Sequence, residues 1–219
     1  MNNQNGNAMT GLLRLCEWLA KLAYINLLWL LFTLIGLVIL GLGPATVSAF
    51  IVIRRMLHGQ QNQTIWNSFT SAYRENFWLA NGLIAVIGSV YLFVLIDFGL
   101  IRILPDHPVL DYLVSPVLMI LICVWTALSG YTLALFSQYK LRFWSYFSDS
   151  FWLIALFPFS SIGMIFALFT VTWLLTVIPA MLPFYLVSIP ILMIQWVAKR
   201  SFNRLEGKKL LLEKMESNH

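Results

Sequence analysis

The sequence predicts an all-α, multi-pass transmembrane helical bundle with about five spans, and three observations lead to this prediction. Hydrophobic residues make up 60% of the 219 residues, whereas about half of a soluble domain is apolar. Charged residues make up only 11%, and none occurs between Asp149 and Lys199. Several uncharged stretches reach the roughly 20 residues that a helix needs to cross a bilayer. The lipid bilayer is therefore the expected surroundings of the chain.

The whole chain, 1–219, is expected to form one integral membrane domain, because the apolar stretches leave no room for a separate soluble domain. Spans are predicted at 24–42, 77–101, 109–136, 151–171 and 176–197. Amphipathic patterns predict interfacial helices at 10–23 and 65–75, and 198–219 is expected to be a basic cytoplasmic tail.

The segment after the first span contains Gly41, Gly43 and Pro44 in close succession. Two glycines loosen a helix, and proline suits the first turn of a new one, so a sharp kink is predicted here. The following piece, 44–57, is shorter than a full crossing and is expected to be a short or re-entrant helix. The alternative is that it crosses back as the hairpin partner of the first span.

Basic residues predict the orientation of the chain in the membrane. With five full spans, eleven Lys and Arg residues fall on the side of the C-terminal tail and three on the other. The positive-inside rule then places the C-terminus in the cytoplasm and the N-terminus outside. In the hairpin alternative both termini are cytoplasmic, and Arg14 and Lys21 join the positive side.

Few residues of the spans are able to carry chemistry. Asp97 is the only carboxylate within an otherwise apolar span, and it is either an interfacial residue that pairs locally with Arg102 or a proton or substrate site. Asn26 is expected to hydrogen bond a neighbouring helix. The prolines of 176–197 interrupt the last span, either as in transporters whose broken helices line a cavity or as in ordinary membrane helices, which also tolerate proline.

The sequence contains no catalytic motif. The three histidines are scattered, and no nucleophile, Walker or zinc-protease pattern occurs. We therefore expect no enzymatic activity, no cofactor and no metal. The net charge of +5 does not indicate nucleic acid as a partner, because the basic residues flank apolar segments instead of forming a soluble patch.

Four segments in the first third of the chain carry a family resemblance: 13–29, 41–46, 54–57 and 69–78. In these segments the sequence resembles the YesL-type membrane proteins of Gram-positive bacteria, which are described as a domain of unknown function. The resemblance singles out Asn26, Gly43, Pro44, Thr46, Arg54, Asn76 and Trp78 as positions for function or partner contact.

The resemblance implies no catalytic residue. Members of the family look like companions of carbohydrate uptake systems, which implies an accessory role beside a sugar ABC transporter permease in the bacterial cell membrane. The expected contact region is the Gly43–Pro44 kink together with the aromatic surface helix. The alternative is a small-solute transporter with a pathway near Asp97, and the oligomeric state is left open.

Overall fold

The computed structural model describes residues 2–60, 63–103 and 114–216, with side chains for 11–60, 63–100 and 114–204. Within these residues the chain forms helices joined by short turns, without a strand. They are α1 (Asn2–Ile35), α2 (Ile39–Leu57), α3 (Ile65–Glu75), α4 (Phe77–Ile103), α5 (Ser115–Gln138), α6 (Phe143–Leu156), α7 (Pro158–Val177), a 3-10 turn (Pro179–Met181), α8 (Leu182–Tyr185) and α9 (Ser188–Glu216). The predicted loop at 105–108 and the first residues of the third predicted span lie outside the described residues.

Five of the described helices are long and apolar enough to cross a membrane: α1 from Gly11, α2, α4 as far as Leu100, α5 and α7. A sixth crossing results if the bent pair Pro179–Tyr185 and Ser188–Arg204 counts as one span; its two parts meet at 60°. Helices suit a bilayer because their backbone hydrogen bonds are internal. The predicted all-α multi-pass bundle is confirmed.

The chain reverses after the first span at Gly36–Val38, five residues earlier than the predicted kink. Leu37 and Val38 have positive φ angles of 58° and 64°, and the Val38 N–H donates to the Thr33 carbonyl at 2.9 Å. A left-handed residue other than glycine costs about 1–2 kcal/mol, so packing between α1 and α2 must stabilise the turn. The two helices form an antiparallel hairpin.

Gly41 and Pro44 lie inside α2 and do not end a helix. A Cβ atom at Gly41 would lie 2.5 Å from the Thr33 carbonyl oxygen, so this glycine allows the two helix backbones to touch. Pro44 lies in the second turn of α2 and removes one intrahelical hydrogen bond. Because α2 is a full helix of 19 residues, the geometry favours the hairpin alternative over a re-entrant segment.

α2 is the central helix of the described bundle, since it packs against α1, α3, α4, α5 and α9. Small residues along its buried face, among them Ala45, Ser48 and Ala49, allow this close approach. Within its most apolar stretch 61% of the residues are buried, against 17% in α4 and in α7. The outer helices therefore present most of their surface to the surroundings of the bundle.

Prolines set the helix boundaries in the second half of the chain. Pro158 occupies the first position of α7, where its missing N–H costs no hydrogen bond. As a result α7 covers Pro158–Val177 and begins later than the span expected at 151–171. The turn after it lies at Ile178, whereas the sequence predicts it between 171 and 176. Pro179 and Pro183 then break the last span, as expected from their lost backbone donors.

Candidate functional site

Asn26 fills the gap in the broken last span. It lies in α1 and is 1% exposed. Its Nδ2 donates to the Pro183 carbonyl at 2.7 Å, and its Oδ1 accepts from the Val187 N–H at 2.9 Å. Residues 183 and 187 are the pair that an unbroken α-helix would join by its own hydrogen bond. The Asn26 amide thus takes the place of that missing bond and ties α1 to the break.

Gly43, Pro44 and Thr46 face the interior of the bundle. A Cβ atom at Gly43 would lie 2.8 Å from Oδ1 of Asn81 on α4, and Pro44 is buried. The Thr46 hydroxyl accepts from Nε1 of Trp29 at 3.0 Å, which links α2 to α1. Gly43 and Pro44 are covered by the protein itself, and the role of the kink in a partner contact stays a prediction.

Arg54 lies near the C-terminal end of α2 and reaches the end of α5. Its Nη1 donates to the carbonyl of Gln138, the last residue of α5, at 3.3 Å. Lys199 on α9 makes the equivalent contact with α2, because its Nζ donates to the carbonyl of Leu57, the last residue of that helix, at 3.2 Å. Cations at helix C-termini satisfy free carbonyls and interact favourably with the helix dipole. α2, α5 and α9 therefore meet at one basic end.

Asn76 and Trp78 lie at the corner between α3 and α4. Asn76 caps α3, with its Nδ2 donating to the Ala72 carbonyl at 2.9 Å. Trp78 is 80% exposed and stands edge-on to the Phe77 ring. Such an exposed tryptophan beside a span is typical of the aromatic belt at a membrane interface.

The inner face of α3 packs against the α1–α2 turn. Tyr73 is buried, and its hydroxyl donates to the Phe32 carbonyl at 3.3 Å. Burial raises the pKa of the Tyr73 phenol, because desolvation penalises the charged phenolate. The Phe69 and Tyr73 rings also contact the Phe32 ring at tilted angles of 44° and 51°, so aromatic contacts hold α3 against the hairpin.

Arg54 and Asn76 are the two sequence-predicted residues that the structure brings to one cavity, which has a volume of about 600 Å³. Arg55, Glu75 and Lys140 also line it. We call it the basic cavity. It lies where α2 and α5 end and where α4 and α6 begin. The remaining predicted residues lie elsewhere: Asn26 at the broken span, Gly43, Pro44 and Thr46 in the packing of α2, Trp78 on the surface and Asp97 far along α4.

Asp97 is half-buried near the outer end of α4. No described residue forms an ion pair or hydrogen bond with its carboxylate. The Arg102 side chain, its expected local partner, lies outside the described residues. Asp97 thus remains the one described carboxylate of α4, and the structure gives it no partner from the rest of the described chain.

Sequence reasoning missed two polar residues that hold the basic end together. Gln195 is 2% exposed, and its Nε2 donates to the Phe50 carbonyl at 3.2 Å and to the Ser137 hydroxyl at 2.8 Å. The Tyr146 hydroxyl donates to the Tyr139 carbonyl and accepts from the backbone N–H of Leu141. Gln195 is the only carboxamide between Asp149 and Lys199, a signal that could have revealed it. Nothing local distinguishes Tyr146 from an ordinary interface tyrosine.

The described residues contain no group of three or more His, Cys, Asp or Glu side chains arranged to hold a metal ion. Cys16 and Cys123 are free thiols on exposed faces of α1 and α5. The expectation that the chain takes no cofactor stays a prediction.

Comparison with known proteins places the chain among uncharacterised membrane proteins. The family model described as "Protein of unknown function, DUF624" matches residues 22–98. The uncharacterized protein YteU of Bacillus subtilis (strain 168) is 30% identical over 186 residues, which are 85% of this chain and 82% of YteU. The uncharacterized protein YesV of the same strain is 26% identical over 193 residues, 88% of this chain and 92% of YesV.

A third relative has a higher identity over a shorter part of the chain. The uncharacterized protein YesL of Bacillus subtilis (strain 168) is 40% identical over 86 residues, 38% of this chain and 41% of YesL. No solved structure matches the chain significantly. The identity to YteU extends over most of both proteins, and the family model covers α2, α3 and most of α4, where the resemblance to YesL-type proteins is densest. The chain therefore belongs to the DUF624 family of YesL-type membrane proteins of unknown function.

Proposed function

We propose that this chain is an accessory component of a carbohydrate ABC-type transport system in the bacterial cell membrane. The carbohydrate part of the proposal is supported by the resemblance to YesL-type proteins, whose members look like companions of carbohydrate uptake systems. The accessory part is supported by the surface of the bundle, where one region combines exposed apolar side chains with a carboxylate, that of Asp97, which has no partner among the described side chains. We propose that a permease subunit of the transport system covers this region.

The orientation is supported by the grouping of cations at one end of the bundle. Arg54, Lys140 and Lys199 lie at the end of the bundle where α2 and α5 end. Because α1 runs antiparallel to α2, its N-terminal half, with Arg14 and Lys21, points to the same end. The positive-inside rule places such an end in the cytoplasm. In this arrangement of six crossings, both termini are cytoplasmic.

The proposed contact surface is the outer half of the α4–α5 hairpin, residues 90–100 and 115–124. Going towards this outer half, the final side-chain hydrogen bonds between α4 and α5 join Tyr91 to Thr126 and Trp125 to the Ile87 carbonyl. Beyond them Val94 and Leu118 are buried. Most other large side chains there are exposed: Leu92, Phe93, Leu95, Ile96, Leu100, Val117, Met119, Ile120, Leu121 and Val124.

Asp97 adds a carboxylate to this apolar surface, and contact with lipid alone does not require one. It lies about 30 Å along α4 from Phe77 at 1.5 Å per residue, near the end of the span, where an ionised group is less costly than at the centre. A basic or hydroxyl side chain on a permease helix would offer a hydrogen bond to this carboxylate, for which the described residues provide none. This carboxylate, within an otherwise apolar face, is the observation that carries the proposal.

The proposal is tested by affinity purification of the tagged chain from its native membrane in a mild detergent. We expect subunits of a carbohydrate ABC transporter to be recovered with it. The substitution Ile96→Trp should abolish recovery, because the added bulk prevents a partner helix from packing closely while lipid chains adapt to it. The matched control is Ile162→Trp, since Ile162 is equally apolar and similarly exposed on α7.

Reproducible absence of transporter subunits from the purified wild-type chain would refute the accessory role. Equal recovery with Ile96→Trp and Ile162→Trp would exclude the α4–α5 surface as the contact region.

A small-solute transporter is the second candidate, and the 60° break in the last span favours it. The donor and acceptor nearest the break are already bonded to Asn26, so a solute would have to compete with that amide. This candidate predicts solute flux by the purified chain in liposomes that is lost in Asp97→Asn. Absence of flux across a broad panel of solutes would exclude it.

A further inference from the structure

The basic cavity is formed by segments that the fold holds in place. Arg54 and Arg55 come from α2, Glu75 and Asn76 from the α3–α4 corner, and Lys140 from the loop between α5 and α6. The loop is fixed by Tyr146, whose hydroxyl bonds the Tyr139 carbonyl at 3.1 Å and the Leu141 N–H at 2.9 Å.

The charges of the cavity do not cancel. Three cations and one carboxylate line it, which leaves a formal charge of +2. The ion pair between Lys21 and Glu17 is the only one found in the described part of the chain, so none of Arg54, Arg55 and Lys140 has a carboxylate of a described side chain within 4.0 Å. A cation that is removed from water without an anionic partner is costly.

Arg54 bears part of this cost, because it is half-buried. Of the five N–H donors of a guanidinium group, the structure shows Nη1 bonded to a carbonyl. Nε is buried and has no partner among the described residues. A guanidinium with free donors in a fixed fork matches the oxygens of a phosphate or carboxylate group.

The size and polarity of the cavity indicate the chemical class of the ligand. About 600 Å³ is within the range of sites for small organic molecules and more than a bare anion fills. A second cavity of about 490 Å³ adjoins it through Arg55 and Glu75, and its other walls are the polar residues Gln60, Gln63, Ser68 and Ser71. Amide, hydroxyl and carboxylate groups in this extension suit a group with hydroxyls.

We propose that the basic cavity binds a phosphate ester, with the phosphate between Arg54, Arg55 and Lys140 and a hydroxylated group towards Glu75 and Ser71. A phosphate carries more charge than a carboxylate and offers more acceptor oxygens, so it offsets three converging cations better. Two sources share this chemistry: a soluble phosphate ester and the headgroup of an anionic lipid. The proposal concerns the isolated chain and does not depend on a transporter partner.

The test has two arms, both with the purified full chain in nanodiscs. In the first, sn-glycerol 3-phosphate and inorganic phosphate are titrated by calorimetry against chain in phosphatidylcholine nanodiscs. In the second, the nanodiscs contain phosphatidylglycerol as well, and native mass spectrometry counts the phosphatidylglycerol molecules retained by the protein. Binding in the first arm identifies a soluble ester, and selective retention in the second identifies a lipid headgroup.

The variants Arg55→Gln and Lys140→Gln should each weaken binding about tenfold, which corresponds to ~1.4 kcal/mol. Arg142→Gln is the matched control, because Arg142 is an exposed cation two residues beyond Lys140 that does not line the cavity; its affinity should equal that of the wild type. Should Arg55→Gln fail to fold, Lys140→Gln decides, since the Lys140 side chain is exposed.

Two results would overturn the proposal. One is the absence of binding in both arms. The other is an equal loss of affinity in Arg142→Gln and Lys140→Gln, which would show a diffuse surface charge in place of a built site.

Discussion

Replacing Asn26 tests whether one side chain holds the broken last span in position. In Asn26→Ala the Val187 N–H and the Pro183 carbonyl lose the amide that joins them. Neither group regains a helical partner, because the backbone between residues 183 and 187 has already departed from the helix. The substitution should therefore destabilise the contact between α1 and the α8–α9 break.

The magnitude follows from the two lost hydrogen bonds. Side-chain hydrogen bonds between membrane helices stabilise by about 0.6 kcal/mol each on average, which sets a lower bound of about 1 kcal/mol. A buried backbone group left without a partner costs about 1–3 kcal/mol. Two fully buried groups would cost about 2–6 kcal/mol; because both hydrogen bonds are only part-buried, we expect the free energy of unfolding to fall by an amount in the lower part of that range, about 2–4 kcal/mol.

The assay is reversible unfolding of the purified chain in mixed micelles, followed by tryptophan fluorescence. Asn81→Ala is the control, because the Asn81 amide donates only to the Phe77 carbonyl of its own helix at 3.0 Å; we expect a loss below about 1 kcal/mol. Asn26→Leu, which restores the volume, should remain as unstable as Asn26→Ala. Wild-type stability in Asn26→Leu would refute the reasoning, since packing and not hydrogen bonding would then be responsible.

Three further predictions follow from the fold. Gly43→Ala should lower the free energy of unfolding by about 1–3 kcal/mol through overpacking, whereas Gly88→Ala, with open space around it, should be neutral or stabilising. Burial raises the Tyr73 pKa, so the stability that the neutral phenol contributes is complete below the ordinary tyrosine pKa near 10 and is lost as the pH rises through the pKa of the folded state. Tyr73→Phe should therefore flatten the alkaline fall of the melting temperature. An unchanged fall would exclude Tyr73 as its source. In a cysteine-free background, Gly11→Cys and Gln63→Cys, at the start of the α1 span and after α2, should be labelled from the same side of the membrane, and labelling from opposite sides would refute the α1–α2 hairpin.

The helical class and the approximate number of spans could be predicted because hydropathy and bilayer thickness act on each segment separately. Positions of the breaks were harder to predict. Gly41 and Gly43 resemble helix breakers when the sequence is considered alone, but in the bundle they allow α2 to approach α1 and α4 closely. Leu37 and Val38, where the chain reverses, have no turn propensity, and it is the packing of the hairpin that imposes their conformation.

Only part of the candidate site could be predicted from the sequence. Arg54 and Asn76 were singled out through the family resemblance, but nothing in their spacing indicates that they share a cavity. Lys140 lies more than sixty residues further along the chain and reaches the same place because α5 ends beside α2.

The amino-acid sequence by itself determined that this protein is a helical membrane protein of the DUF624 family, because apolar length and local motifs do not depend on distant contacts. Only the tertiary structure decided what the polar residues do. Asn26 replaces a hydrogen bond between residues more than 150 positions away, and Arg54 meets the end of a helix 84 residues further on. In an apolar environment each polar group must find a partner, and the packing of the helices determines which partner it finds.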